Sequence, residues 1–383
     1  IPYSKFGQGG VSVAYDSQES VYTQFIQELD VAQEMLSDFL AGERSDVKAI
    51  KNYDIVYKSD YSKWMRYANS LRLRLASRIS KVNPSLAQTQ AEKAVGNSYG
   101  VIESNSDNFI VSTATMKNPL NTMAYDYHDI RMSADMESIL KGLNDPRMSI
   151  FFAPATDTDP NILGKYIGIR QGISLVDKNI RIGYSNLGSA WEADKKNSND
   201  ICLLNAAEVA FMRAEGVLRG WNMGGTAEDF YHLGVNMSFQ YWKAGGTDAY
   251  LQGTTTPSDY VDPKAPKYNI AAASTVTVKW DETAGNEAKL EKIITQKWIA
   301  VFPDGPEAWS EFRRTGYPKQ FPMAENYSSG IIDSNIKIRR LPFSDDEYRD
   351  NNAEVLKAIQ LLGGADNGAT RLWWDTNGGA SNF

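Results

Sequence analysis

The feature that most constrains the fold of this 383-residue chain is the recurrence of apolar side chains at spacings of three and four. This spacing places the side chains on one face of an α-helix, and capping and stop residues limit each segment. It predicts helices over residues 16–40, 60–83, 85–95, 133–141, 201–219, 226–242, 287–302, 307–315 and 353–362. Asp16, Asp60 and Thr226 are the predicted N-caps. The sequence therefore predicts an all-α fold.

The helices are predicted to pair into hairpins, because the turns at residues 221–225 and 303–306 are short. Ala207 and Phe211 match the A-x-x-x-F spacing of a tetratricopeptide unit. Between residues 99 and 200 the helical spacing fades, and short strands are predicted at 166–170 and 179–184. We predict a single unit in which helical segments, residues 1–98 and 201–383, flank a loop-rich insert, residues 99–200.

Charge and rare residues exclude several functional classes. Forty basic against forty-seven acidic side chains give a net charge of −7, which repels nucleic acid. The single cysteine, Cys202, cannot form an intrachain disulfide, and we predict a small buried side chain inside helix 201–219. His128 and His232 are too few and too far apart for a histidine-rich zinc site. No window approaches the roughly 18 apolar residues of a membrane helix.

One face of helix 60–83 is basic. An anion-binding face is one interpretation; an ion-paired or solvated face is the favoured one, with the acidic residues of helix 16–40 as possible partners. The face consists of Lys63, Arg66, Arg72, Arg74, Arg78 and Lys81.

The motifs of common catalytic and metal sites are incomplete or missing. Asp157, Asp159 and Asn161 match the start of a calcium loop, but Ile162 and Gly168 stand where an EF-hand needs Gly and Glu. A looser oxygen-ligand site stays open there. No dinucleotide, phosphate-loop or zinc-protease motif occurs. The sequence therefore predicts no catalytic residue, metal site or cofactor, although a pair of glycosidase carboxylates leaves no local motif to detect.

Aromatic residues in the insert are the candidate ligand site. A ring outside a helical stripe offers a flat face on which a sugar can stack, and nearby amides and charges can bind hydroxyl groups. The alternative is that these rings anchor loops to the helices, as we expect in the core for Trp64, Trp242, Trp298 and Trp309. The predicted ligand-binding residues are Asn118, Tyr125, Tyr127, His128, Arg131, Tyr184 and Trp191.

Several segments together resemble the SusD/RagB superfamily of nutrient-binding proteins, and they follow the expected order. The most specific is residues 293–302 running into 307–318. The others are 60–64, 67–75, 78–81, 144–147, 207–208, 213–215, 220–221, 339–343 and 370–375.

The resemblance implies tetratricopeptide-like hairpins that support a loop-rich lobe. It also implies a non-enzymatic lipoprotein on the outer face of the outer membrane of a Bacteroidetes-type bacterium. Such a protein captures an oligosaccharide or polysaccharide and delivers it to a TonB-dependent SusC-like transporter. Since Cys202 lies inside a predicted helix, the lipid anchor is expected upstream of Ile1. Because proteins of this family begin with more helix than this chain does, an N-terminal portion of the fold is expected there as well. No ligand contact is transferred from the family.

Three alternatives stay open. The first is a protein of the same uptake type that binds peptides or another nutrient. The second is a glycoside hydrolase on a helical scaffold, with two carboxylates in an aromatic cleft. The third is a helical scaffold that binds only protein, for which a flat apolar patch without an aromatic pocket would be diagnostic.

Overall fold

The structure, a computed structural model, describes residues 1–9, 12–112, 117–192, 200–376 and 381–383. Within these ranges two strands, β1 (Phe109–Ser112) and β2 (Asp200–Leu204), form one antiparallel pair. The predicted all-α class is confirmed. The helices of the described residues are α1 (Gln18–Ala41), α2 (Tyr61–Ile79), α3 (Pro84–Val95), α4 (Pro119–Asn121), α5 (Ala134–Gly142), α6 (Met148–Phe151), α7 (Ala206–Leu218), α8 (Ala227–Trp242), α9 (Thr247–Leu251), α10 (Asn286–Ala300), α11 (Gly305–Thr315), α12 (Asp345–Asp350) and α13 (Asn352–Leu362).

Two of the three predicted N-caps are confirmed. The Asp60 side chain accepts a hydrogen bond from the Lys63 backbone N–H at 3.1 Å and begins α2. The Thr226 hydroxyl accepts one from the Asp229 N–H at 3.1 Å and begins α8. Each cap satisfies a backbone donor that the first helical turn leaves unpaired.

The predicted Asp16 cap is wrong. The Asp16 carboxylate instead accepts hydrogen bonds from the backbone N–H groups of Tyr3 at 2.7 Å and Ser4 at 2.8 Å, and so fixes the turn before α1. Ser17 caps α1, accepting from the Ser20 N–H at 3.1 Å.

The helix predicted over residues 201–219 begins later than expected. Residues 200–204 form β2, and α7 begins after Asn205, whose side chain accepts from the Glu208 N–H at 2.8 Å. Cys202 therefore lies on a strand and not in a helix, a correction to the sequence prediction. Burial raises the pKa of its thiol to about 12, which makes the thiolate scarce.

Neither strand predicted inside the insert forms. Ile169 contributes only an isolated bridge to Ser133, and residues Lys178–Arg181 form a 3₁₀ turn. The strand that does form in the insert, β1, pairs with β2, which lies about ninety residues later in the chain. Such a long-range pairing has no local sequence signal.

The two predicted helical hairpins are present as α7–α8 and α10–α11. Helices α7 and α8 approach closely because Gly234 of α8 has no side chain. A Cβ atom at this position would lie 2.7 Å from the ring of Phe211, which is fully buried on α7. The A-x-x-x-F phenylalanine therefore packs into the space that the glycine leaves.

A network of buried ion pairs, here called the charge cluster, joins the helices. Its cations are Arg74, Arg78, Lys297 and Arg314, and its anions are Glu208, Glu215, Glu307 and Glu311. The residues come from α2, α7, α10 and α11.

Each acid in the cluster meets a cation from another helix. Arg74 contacts Glu208 at 2.5 Å and Arg78 contacts Glu307 at 2.7 Å. Arg314 contacts Glu215 at 2.6 Å, and Lys297 lies 3.2 to 3.5 Å from three of the glutamates. Of the favoured interpretation, an ion-paired or solvated basic face, the ion-paired form is confirmed for Arg74 and Arg78.

Other basic residues of α2 are also paired. Arg72 contacts Asp30 of α1 at 2.7 Å, and Lys63 and Arg66 lie 3.5 and 3.3 Å from Asp107. The prediction that helix 16–40 supplies acidic partners is therefore confirmed for one pair.

The insert is attached to the helices through Arg147, which is fully buried. Its guanidinium contacts the Asp145 carboxylate at 2.5 Å and donates to Ser238 of α8 at 2.7 Å and Gln296 of α10 at 3.0 Å. The ring of Phe239 lies beneath it at 4.7 Å. One side chain thus links the lobe to both hairpins.

We expect the charge cluster to make the stability of the protein depend on pH. Burial alone would raise the pKa of Glu311, but attraction to Arg314 and Lys297 outweighs it and holds the pKa well below its usual value. The same balance lowers the pKa of Glu307 and lowers that of Glu215 to about 2.

The described residues contain no helix that is both long and apolar enough to cross a membrane.

We expect Glu311→Gln to lower the free energy of unfolding by about 3–5 kcal/mol, because it leaves buried cations undercompensated. For the unchanged protein, stability should fall as pH drops below about 4.3, the unfolded-state pKa of Glu, since only the unfolded chain binds the protons there. Urea unfolding at pH 7 and between pH 5 and 3 measures both effects.

The matched control is Glu103→Gln. Glu103 pairs with Arg213 at 2.6 Å, but its side chain is 59% exposed. We expect a loss of about 1 kcal/mol or less. Equal losses for the two variants would contradict the role of the charge cluster.

Candidate ligand-binding site

An open cleft of about 620 Å³ lies in the insert and is here called the loop cleft. Four of the seven predicted ligand-binding residues line it: Tyr125, His128, Arg131 and Tyr184. The walls also include four exposed polar residues, Thr156, Thr158, Asn179 and Glu192, together with the half-buried Asp157 and with Lys264 from a distant loop. The cleft is the size of an ordinary small-ligand pocket.

Arg131 holds the two sides of the loop cleft together. Its guanidinium donates to the Ile182 carbonyl at 2.6 and 2.9 Å, to the Ile130 carbonyl at 2.6 Å and to the His128 carbonyl at 3.4 Å. These bonds fix the backbone of His128, which has φ of 55° and an exposed ring. Burial lowers the pKa of Arg131.

Tyr184 forms part of the floor. It is 2% exposed, and its hydroxyl bonds to Arg181, which itself contacts the Asp262 carboxylate at 2.9 Å. Burial raises the pKa of the Tyr184 hydroxyl above its ordinary value, and the Asp262 charge adds to the effect. The ring therefore offers almost no surface to a ligand, and the expectation of an exposed stacking face is wrong for Tyr184.

Tyr125 is half-buried at the wall. Its hydroxyl lies 2.8 Å from the carbonyl oxygens of Leu187 and Gly188, so it anchors one loop to another. Burial raises its pKa to about 12. Tyr127, in contrast, is 60% exposed but stands outside the cleft lining.

Lys264 is a site residue that sequence analysis missed. Its ammonium group contacts the Asp157 carboxylate and donates to the Ile180 carbonyl at 2.8 Å. Asp157 also accepts from the Asp159 N–H at 3.0 Å, so the calcium-like segment is an ion-paired turn. Among the described residues, no group of three or more His, Cys, Asp or Glu side chains is arranged to hold a metal.

The family was identified by comparison with known proteins. The model of the SusD-like family, described as "Susd and RagB outer membrane lipoprotein", matches residues 1–375. The chain belongs to the SusD-like family. A comparison with curated proteins finds no match.

Solved structures of SusD homologues agree with this assignment. A chitin-binding SusD homologue from Flavobacterium johnsoniae is 46% identical with a TM-score of 0.94, and the match covers 100% of this chain and 77% of that chain. A homologue from Bacteroides vulgatus is 42% identical with a TM-score of 0.92, covering 100% and 76%. One from Bacteroides ovatus is 36% identical with a TM-score of 0.88, covering 98% and 78%.

In this SusD-like protein, two predicted residues lie away from the loop cleft. Trp191 is 1% exposed and packs its ring 5.3 Å from that of Trp242 and 5.6 Å from that of Phe302. Asn118 is also buried, and its side chain caps the turn at Leu120. Both line a separate inner cavity of about 420 Å³ between the insert and the turn after α10.

The expectation of an exposed ring is therefore wrong for Trp191, which anchors the insert to the helices. The physical reason is tertiary: residues 189–191 form a 3₁₀ turn that lays the indole on α8. Trp242 lies in the core as expected, whereas Trp64, Trp298 and Trp309 are only half-buried.

We expect Trp191→Ala to lower the free energy of unfolding by about 3–5 kcal/mol, as for other buried large aromatic residues. Tyr127→Ala removes an exposed ring and should change the free energy of unfolding by about 0.5 kcal/mol or less. Urea unfolding of both variants distinguishes the two environments. A Trp191 variant as stable as the Tyr127 variant would contradict the packing described here.

Proposed function

We propose that this protein binds an oligosaccharide in the loop cleft without altering it and delivers it to a SusC-like TonB-dependent transporter. The observation that carries the proposal is the cleft, which places exposed polar side chains beside aromatic groups. A sugar has hydroxyl groups for the former and an apolar CH face for the latter. Similarity to a chitin-binding SusD homologue supports an N-acetylglucosamine chain as the first ligand to test.

Binding in the loop cleft depends mainly on hydrogen bonds. Thr156, Thr158 and Asn179 are exposed and line the cleft, while His128 offers the accessible ring. Each bond replaces a bond to water and is worth about 0.5–1.5 kcal/mol net. Because desolvation of the polar groups in the lining costs free energy, we expect dissociation constants in the micromolar range or weaker.

The electrostatics of the cleft favour binding over hydrolysis. A glycosidase needs a carboxylic acid whose pKa is raised so that it can donate a proton. The hydrogen bond from Lys264 lowers the pKa of Asp157 in the loop cleft. Burial raises the pKa of Asp135 and Glu137, but neither lines the cleft.

The place of action follows from the family. SusD-like proteins are described as outer membrane lipoproteins, which supports a lipid-anchored protein on the cell-surface side of the outer membrane. There a binding protein can pass its ligand to a transporter that spans the membrane. Co-purification of this protein with a TonB-dependent barrel from membranes of the source bacterium tests the partner.

Isothermal titration with chitohexaose, cellohexaose, maltohexaose and a mixed peptide tests the ligand class. We expect chitohexaose to bind, and His128→Asn to weaken binding about threefold, since one aromatic contact at about 0.7 kcal/mol is lost. Asn tolerates the positive φ at position 128. The matched control is His232→Asn on α8, outside the cleft, which should bind normally.

Each other outcome points to an alternative. Binding of peptide alone would favour the peptide-uptake alternative. Release of shorter sugars from chitohexaose would make the protein a hydrolase. Normal binding by His128→Asn would place the sugar outside the loop cleft.

A further inference from the structure

A second cavity, of about 660 Å³, is here called the aromatic groove and is separate from the loop cleft. Trp298 of α10 and Trp309 and Phe312 of α11 line it, and both indoles are half-buried. The polar part of the lining includes Lys337, Gln171 and Gln320, and Asp304 also lines the groove. Aromatic rings and a buried cation thus share one cavity.

Lys337 is only 8% exposed. Its ammonium donates to the side-chain oxygen of Gln171 at 2.8 Å and to that of Gln320 at 2.7 Å. An ammonium group has three N–H donors, so one remains for a further acceptor. Within the described residues, no carboxylate oxygen lies within 4.0 Å of this nitrogen.

Buried lysines of α10 show two ways of accommodating an ammonium group: among the described residues Lys292 has no carboxylate within 4.0 Å and donates to the Thr277 carbonyl and hydroxyl, whereas Lys297 is ion-paired. Lys297 is 2% exposed and lies 3.2 to 3.5 Å from three glutamates of the charge cluster. Burying a charge is costly unless an opposite charge compensates it. Lys337 is also buried, but its ammonium contacts two neutral amide oxygens and lies 5.8 Å from the centre of the Phe312 ring.

The surroundings of Lys337 carry excess positive charge. Arg170 is also buried and donates to the backbone carbonyls of Tyr268 and Pro322. Asp135 is the nearby acid; it accepts from the Phe321 N–H at 2.7 Å, and burial raises its pKa. Burial lowers the pKa of Lys337, and attraction to Asp135 offsets this only in part. One acid therefore faces two cations.

We infer that the aromatic groove is a second glycan subsite that takes a carboxylate-bearing sugar, a uronic acid residue. Its carboxylate accepts the free N–H of Lys337, and its apolar ring face packs against Trp298 and Trp309. A carboxylate supplies the charge that Lys337 lacks, and a neutral sugar does not. The inference depends on the proposed function in one respect: it assumes that the protein binds glycans.

Tetragalacturonate is the probe, with galactotetraose as its neutral counterpart. Binding is followed by isothermal titration and by indole fluorescence, because two tryptophans line the groove. We expect the unchanged protein to prefer tetragalacturonate at least tenfold. Lys337→Met should remove that preference, and Lys337→Arg should retain it within about threefold, since the charge remains. Added salt should weaken binding of the acidic probe.

The matched control is Lys267→Met, which changes net charge equally. Lys267 is 69% exposed, pairs with Glu325 and lies outside the groove lining. Circular dichroism verifies that each variant is folded. If Lys337→Met does not fold, the comparison of tetragalacturonate with galactotetraose on the unchanged protein still tests the inference.

Equal binding of the two probes, or normal tetragalacturonate binding by Lys337→Met, would overturn the inference. Chitohexaose binding without tetragalacturonate binding would overturn it while leaving the loop cleft intact. Tetragalacturonate binding that depends on Lys337, without chitohexaose binding, would support the groove and count against the sugar assignment in the loop cleft. Chitohexaose should not displace tetragalacturonate, and displacement would show a shared site.

Discussion

The buried ion pairs between α2, α7, α10 and α11 are the interaction on which the helical frame depends. A buried charge without a partner costs several kcal/mol, so each of these helices can dock only where its charges meet their counterparts. The Glu311 carboxylate shows the consequence, since it contacts cations from three helices, Arg78, Lys297 and Arg314. Fixing α10 and α11 also fixes the turn between them, which forms walls of both the inner cavity and the aromatic groove.

Local chemistry made most of the helices predictable from sequence. Apolar spacing located the long helices within a few residues, and the Asp60 and Thr226 side chains marked two helix starts. The errors occur where distant contacts decide. Asp16 was expected to cap α1, but the chain folds back and Tyr3 and Ser4 donate to it. Residues 200–204 continue a helical pattern in sequence, but pairing with β1 makes them a strand.

The candidate site was predictable only as a region. Four aromatic or basic residues of the insert do meet in one cleft, but sequence could not tell an exposed ring from a buried one. The sequence around Trp191 indicates a loop, but tertiary packing buries the Trp191 indole in the core. Lys264 had no detectable signal, because it reaches the loop cleft from a segment about a hundred residues away from its partner Asp157.

The two proposed glycan sites differ in how their charges are compensated, and this has consequences for selectivity. In the loop cleft, Lys264 is paired with Asp157, and Arg131 is bonded to backbone carbonyls. These cations hold loops in place, so the cleft is organised before a ligand arrives and the entropic cost of binding falls. In the aromatic groove, Lys337 is buried and bonded only to amide oxygens. A site whose charges are satisfied recognises shape and hydroxyl groups, whereas a site with an uncompensated cation discriminates by charge.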